Sequence, residues 1–226
     1  MAKEDAISAA ETRLAEVKAG IARAAALAGR RAEDVALIAI SKTKAAEDIT
    51  PLLSAGQRLF GENRVQEAHS KWPALQAQWP DVELHLVGQL QSNKAENAVA
   101  LFDVIHSVDR LSLITALGHA CQKLGKRPRC FVQVNIGAED QKGGCAIADT
   151  SAMVDAARAA GLHVVGLMCV PPEGQEAAPY FALLAKLAKG LGLHQLSMGM
   201  SGDYEVAVTL GATYVRVGTA LFGARA

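Results

Sequence analysis

The sequence predicts a parallel α/β fold and, within that class, a closed (β/α)8 barrel. Three observations predict it. Short apolar runs of strand length alternate with helical segments from about residue 35 onwards, and eight such runs can be counted. The runs lack the polar alternation of half-exposed strands, which suits strands covered on both faces. No linker or low-complexity segment divides the 226 residues, half of them hydrophobic, so residues 1–226 read as one domain with a sizeable core. An open doubly wound sheet is the competing arrangement. No GxGxxG follows the first strand, which weakens the dinucleotide-binding form of that competitor.

The elements follow in order. Ala2 to Ala28 is rich in Ala, Glu, Lys and Arg, with Ile7, Leu14, Val17, Ile21 and Leu27 at roughly helical spacing. It reads as an extra N-terminal helix, ended by Gly29 and packed on the barrel. Val35 to Ser41 is the first strand, and Glu47 to Ala55 its helix, closed by Gly56. A strand around Leu59-Phe60 runs into Gly61-Glu62-Asn63, with a helix over Val65 to Gln78. Leu84 to Val87 is the third strand, ending at Gly88, followed by a helix from about Asn93 to Ala100. Phe102 to Ile105 and Leu111 to Leu124 form the fourth pair. Cys130 to Ile136 is the fifth strand, and a loop through Gly143-Gly144 leads to a helix over Thr150 to Ala160. His163 to Met168, Pro171-Pro172 and a helix near Pro179 to Lys189 form the sixth unit. Gln195 to Met198 and Tyr214 to Val217 supply strands seven and eight.

Composition excludes several classes of function. Lys and Arg total 23 against 23 Asp and Glu, so no basic footprint for nucleic acid is present. Cys121, Cys130, Cys145 and Cys169 have no CxxC spacing and lie in or beside apolar runs, the pattern of buried thiols in a reducing compartment. The histidines show neither HxH nor HExxH spacing, so no metal site is expected. The N-terminus reads neither as a signal peptide nor as an anchor, and no apolar run approaches membrane-spanning length. The expectation is a cytoplasmic protein without membrane contact.

The candidate chemistry gathers at the strand ends. Met198-Gly199-Met200-Ser201-Gly202 and Val217-Gly218-Thr219-Ala220 each place small residues where a strand passes into a helix. Amides without partners, the positive end of the helix dipole and the hydroxyls of Ser201 and Thr219 could together hold one phosphate. Barrels often bind phosphate after strands seven and eight. Two ordinary capped helix starts are the alternative. Lys42 follows the first strand and shares a face with Ile40 and Ile38, so its amine emerges at the rim if that face points inwards. A partly desolvated lysine there can form a Schiff base, whereas a solvated lysine at a strand end does nothing. Arg216 lies in the apolar eighth strand and needs an acceptor, either a ligand or an acidic partner. Asn63 and His85 could line the same mouth, although a lone strand histidine is more often a hydrogen-bonded core residue.

Four segments carry a resemblance: Ala39-Ile-Ser-Lys-Thr-Lys44, Phe60-Gly-Glu-Asn63, His85-Leu-Val-Gly-Gln-Leu-Gln-Ser-Asn-Lys94, and the block from Ser197 to Gly223. Together they resemble the pyridoxal phosphate homeostasis proteins, single-domain relatives of the alanine racemase barrel. The resemblance implies that Lys42 carries pyridoxal 5′-phosphate (PLP) as an internal aldimine. It implies that Ser201, Gly218 and Thr219, with the backbone near Met200, hold the phosphate. Arg216 is set against the pyridine nitrogen and Asn63 beside the ring. Lys142 matches a family lysine in a flexible loop, where a second amine could assist release. Some members carry further lysines at the extreme C-terminus, where this sequence reads Gly223-Ala-Arg-Ala226.

An arginine stays protonated, so it leaves the pyridine nitrogen an acceptor and the ring a weaker electron sink. Racemases of this type also use a tyrosine from a second domain, whereas this chain has only Tyr180, Tyr204 and Tyr214. Tyr214 shares the strand face of Arg216 and is expected deeper in the barrel. The expectation is therefore a monomeric protein that binds PLP and passes it to apo-enzymes, without strong catalysis. A racemase-like enzyme and a Schiff-base aldolase acting on a sugar phosphate are the two rival readings.

Overall fold

The computed structural model describes residues 2–223. The C-terminal positions 224–226, which bear on the comparison with lysine-bearing family members, lie outside them. Eight parallel strands close a barrel in sequence order: β1 (Ala36–Ile40), β2 (Leu59–Glu62), β3 (Glu83–Leu86), β4 (Val104–Val108), β5 (Arg129–Val134), β6 (His163–Cys169), β7 (Gln195–Ser197) and β8 (Tyr214–Val217). Closure is made by β8 pairing back on β1, with Ile38 opposite Arg216 and Ala39 opposite Val217. That pairing decides between barrel and open sheet.

The helices are α1 (Ala2–Leu27), α2 (Ala46–Ser54), α3 (Val65–Gln78), α4 (Ala95–Leu101), α5 (Leu111–Leu124), α6 (Thr150–Ala159), α7 (Ala178–Gly190), α8 (Tyr204–Thr209) and α9 (Thr219–Phe222). In α1, Leu14, Val17, Ile21 and Ala25 are buried. The helix packs on α2, α8 and α9, against the side of the barrel where β8 meets β1. Arg13 donates to the Leu221 carbonyl at 2.7 Å, and Arg30 to the Val208 and Ala212 carbonyls at 2.8 Å each.

Because strand side chains alternate, the barrel has two apolar regions. The larger lies between strands and helices. A smaller one fills the interior with Ile38, Val104, Phe131, Met168 and Tyr214, and Ile40 packs against it. The face expected of Ile38 and Ile40 is thus the inner one.

Two strand boundaries move with consequences for the site. The fourth strand runs from Val104 to Val108 rather than Phe102 to Ile105. Phe102 instead caps α4, its amide bonded to the Ala98 carbonyl, and its ring joins the outer core. Apolarity marked Phe102 as strand, but its burial is met between helix and sheet. His106 and Ser107 then fall inside a strand, both fully buried. The third strand begins at Glu83 rather than Leu84, because the carboxylate has partners within the barrel.

Candidate functional site

The two C-terminal loops are stitched together. Gly199 follows β7 at φ 91°, and a Cβ there would lie 2.5 Å from that of Ala207, so only glycine fits both the turn and the packing. Its carbonyl accepts the Arg216 amide at 2.9 Å, which ties the β7 loop to β8. The Gly218 amide donates to Ser201 Oγ at 3.3 Å. The small residues after both strands therefore meet. In α9 the Leu221 and Phe222 amides return to the Gly218 carbonyl at 2.9 and 3.0 Å. The amides of Thr219 and Ala220, in the first turn, have no intrahelical acceptor. The Met200 amide donates to Asp203 Oδ1 at 2.6 Å, so in this state a carboxylate of the loop already holds it.

Lys42 stands in the turn just past β1 and shares a cleft with Ile40, Lys44, Gly218, Thr219 and Phe222. Lys44 projects its ammonium over the Phe222 ring, 5.9 Å from the centroid. Asn63, half-buried after β2, lines a neighbouring cleft with Gln89, Gln91 and Lys94. A Cβ at Gly88 would come within 2.3 Å of the Asn63 carbonyl, so that glycine lets the two strand-end loops approach.

Arg216 is 4% exposed and donates to Ser197 Oγ at 2.7 Å and to the Cys169 carbonyl at 2.8 Å. Neither partner is a carboxylate. Burial, the dominant influence, lowers its pKa. From Ser197 a chain of hydrogen bonds descends the barrel. Ser197 Oγ lies 2.8 Å from His106 Nδ1 and His106 Nε2 lies 2.9 Å from His85 Nδ1, while His85 Nε2 lies 2.8 Å from Glu83 Oε1 as a close charge contact without an aligned hydrogen bond. Glu83 also pairs with Arg129, which donates to the Tyr214 hydroxyl at 2.9 Å. Arginine can only donate, so Ser197 Oγ accepts from Arg216, and the two neutral histidines share one proton between His106 Nε2 and His85 Nδ1.

His85 is thus fully buried beneath the mouth, and the expectation that it lines the opening is corrected. Its ring is held from below by Glu83 and from above by His106. Tyr214 does lie deep in the barrel, as its strand face required.

Burial pushes the pKa of His106 well below the usual histidine value, helped by the positive charges of Arg216 and Arg129. Burial also lowers that of His85, although Glu83 opposes the shift. At Glu83 burial acts upwards, but His85 and Arg129 together outweigh it and the net shift is downwards. Histidines held neutral in the fold bind protons more readily once unfolded. Their contribution to stability is complete above about pH 6.5 and is lost as pH falls, by up to about 1.4 kcal/mol per pH unit for each histidine. Glu83 adds a further loss below the ordinary carboxylate range. Thermal unfolding at stepped pH should show the melting temperature falling between about pH 6.5 and pH 5, and His106→Gln should flatten that slope. A flat profile in the unsubstituted protein contradicts the neutral chain.

Lys142 does not stand free in its loop. Its ammonium reaches Glu139 Oε2 at 2.6 Å and donates to the Pro171 carbonyl at 2.8 Å. The same loop is fastened by Gln133, which donates to the Gly143 carbonyl at 3.0 Å and accepts from Gln89 at 2.8 Å. Sequence reasoning missed Ser197, His106 and Glu83, and also Glu62, which is fully buried at the end of β2. For His106, Glu83 and Glu62 the available signal was an ionisable residue inside or at the end of an apolar strand, the kind that singled out Arg216.

Comparison with known proteins adds to this geometry. Residues 13–226 match the family described as alanine racemase, N-terminal domain. The chain is 42% identical over 221 residues to a Pseudomonas aeruginosa protein named pyridoxal phosphate homeostasis protein, covering 94% of each. It is 38% identical over 224 residues to the Escherichia coli K12 protein of the same name, covering 94% of this chain and 95% of that one. Among solved structures, PipY of Synechococcus elongatus PCC7942 with PLP bound is similar at a TM-score of 0.76 and 41% identity, covering 90% of this chain and 100% of that one.

Proposed function

Since this chain belongs to the alanine racemase N-terminal domain family, and within it to the pyridoxal phosphate homeostasis proteins, we propose that it binds PLP and serves PLP homeostasis rather than turning over an amino acid. The single observation that carries the reading is the cleft in which Lys42 faces Gly218 and Thr219, with Ser201 bonded to the Gly218 amide. The residues fit the cofactor on their own chemistry: an amine at the rim, hydroxyls and unpaired amides beside it, and a buried cation on the adjoining strand. When bound, PLP supplies an aldehyde that condenses with an amine, releasing water, and a phosphate that anchors it.

In this reading Lys42 supplies the amine. Ser201, Gly218 and Thr219 hold the phosphate, and Met200 contributes its backbone amide once Asp203 yields it. Arg216, set by Ser197 and the Cys169 carbonyl, presents its remaining donors to the pyridine nitrogen, and Asn63 flanks the ring. Lys142 serves as an accessory amine only after leaving Glu139 and Pro171. The chain acts as one domain and as a monomer, passing PLP to apo-enzymes in the cytoplasm. Among the described residues no helix is long and apolar enough to cross a membrane.

Racemisation needs an acid and a base on opposite faces of the substrate, and Lys42 can serve only one. None of the three tyrosines offers the other. The Tyr214 hydroxyl is bound by Arg129 in the barrel interior, that of Tyr180 by Gln175, and that of Tyr204 by Glu205 on the outer helices. The purified protein should absorb in the near-visible through bound PLP, whereas an aldolase would be colourless and trapped only by sugar phosphate with borohydride. Incubated in deuterated water with alanine or serine, the PLP-loaded protein should leave the α-proton in place by NMR. Lys42-dependent exchange at about 1 s⁻¹ or faster, the range of enzymes, would replace this reading with the racemase one.

A further inference from the structure

The turn that carries Lys42 is gripped by a buried cation with no part in the contacts described above. Ser41 to Lys44 form a tight turn in which the Lys44 amide donates to the Ser41 carbonyl at 3.1 Å. Thr43 sits in the left-handed region at φ 63°, a conformation a β-branched residue rarely adopts. Such a residue persists only when its surroundings over-determine it. Here they do. From α3, Lys71 Nζ donates to the Ser41 carbonyl at 2.9 Å and to the Lys44 carbonyl at 3.0 Å, bracketing Lys42 and Thr43. Its charge is met by Glu62 Oε1 at 2.9 Å and Glu67 Oε1 at 3.0 Å.

The two carboxylates hold the same turn directly. Glu62 accepts from Ser41 Oγ at 2.6 Å and from Trp72 Nε1 at 3.0 Å, and Glu67 accepts the Thr43 amide. The Lys71 side chain is 9% exposed and that of Glu62 is fully buried. Lysine side chains are long and flexible, and Lys42 and Lys44 line the same cleft beside Gly218 and Thr219. Their amines are chemically alike. What separates them is the path of the backbone between Ser41 and Lys44.

We infer that Lys71, Glu62 and Glu67 are positioning residues that select Lys42 over Lys44 as the amine presented to the β8 loop. The inference rests on the PLP reading above. An ordinary buried ion pair would support the fold equally under either lysine, whereas this one fastens both carbonyls of the turn that distinguishes them. Releasing the clamp lets the turn relax, and Lys44 then competes for the same aldehyde.

The protein is incubated with PLP, reduced with borohydride and mapped by peptide mass spectrometry. In the unsubstituted protein the pyridoxyl group is expected on Lys42. In Lys71→Met it divides between Lys42 and Lys44, and Lys71→Arg, whose guanidinium can still donate to both carbonyls, restores Lys42. Glu67→Ala, on a side chain 27% exposed, is a milder release that spares the Lys71–Glu62 pair should Lys71→Met fail to fold. Amide hydrogen exchange at Thr43 in the protein without PLP is expected to quicken in the same variants. Folded variants that still label Lys42 alone, with Thr43 exchange unchanged, overturn the inference. If the unsubstituted protein takes no label anywhere, the PLP reading fails, and the exchange measurement still decides whether the clamp exists.

Discussion

Lys42→Ala is expected to abolish the borohydride-fixable PLP label and the near-visible absorbance of the protein. The Lys42 amine lines the cleft beside Gly218 and Thr219 and can bond covalently with an aldehyde. Lys44 instead projects its ammonium over the Phe222 ring. The phosphate donors and Arg216 remain, so the variant should still take up PLP reversibly and lose it on dialysis. Lys42→Arg separates charge from chemistry, because a guanidinium keeps the cation but does not condense. It should be as unlabelled as the alanine variant. A label of undiminished yield on another lysine in both variants would remove Lys42 from its role.

Arg216→Met should separate binding from stability. Hydrogen bonds to charged groups contribute about 1.5–3 kcal/mol each, so losing one to the pyridine nitrogen should weaken PLP binding by about tenfold or more. The unliganded fold should suffer little. Arg216 is buried against a hydroxyl and a carbonyl rather than a carboxylate, and burial already disfavours its charged form. Ser197 keeps His106 as a partner, and removing an unpaired buried charge relieves the cost of keeping it from water. The expected pair of results is a higher dialysis constant with a melting temperature unchanged or raised. A fall of several degrees would make Arg216 a strut of the barrel instead. Arg216→Lys should resemble Met in binding, since an ammonium cannot reproduce the fork that spans Ser197 and the Cys169 carbonyl.

Among the elements, those legible in the sequence were those whose signal is local. The continuous apolar run Ala36–Ile40, of strand length, suits a strand covered on both faces, and Gly29 and Gly56 mark helix ends because each adopts a positive φ there. Charge made legible what apolarity did not: Arg216 in an apolar strand announced a need for an acceptor. Boundaries were weaker. Phe102 looked like strand because its hydrophobicity is satisfied equally well between helix and sheet.

The sequence by itself determined the alternating βα pattern, the strand-end position of Lys42 and the small residues of the two C-terminal loops. These are properties of neighbours in the chain, governed by side-chain period and backbone freedom. Only the tertiary structure decided that β8 closes on β1, that Ser201 meets the Gly218 amide, and that His85 belongs to a buried chain below the mouth. It alone brought Lys71 from α3 to the carbonyls around Lys42, across about thirty positions of sequence. Hydrogen bonds and ion pairs act over a few ångströms in space whatever the separation along the chain. Their partners are settled only when the barrel closes and brings strand ends from all parts of the chain to one rim.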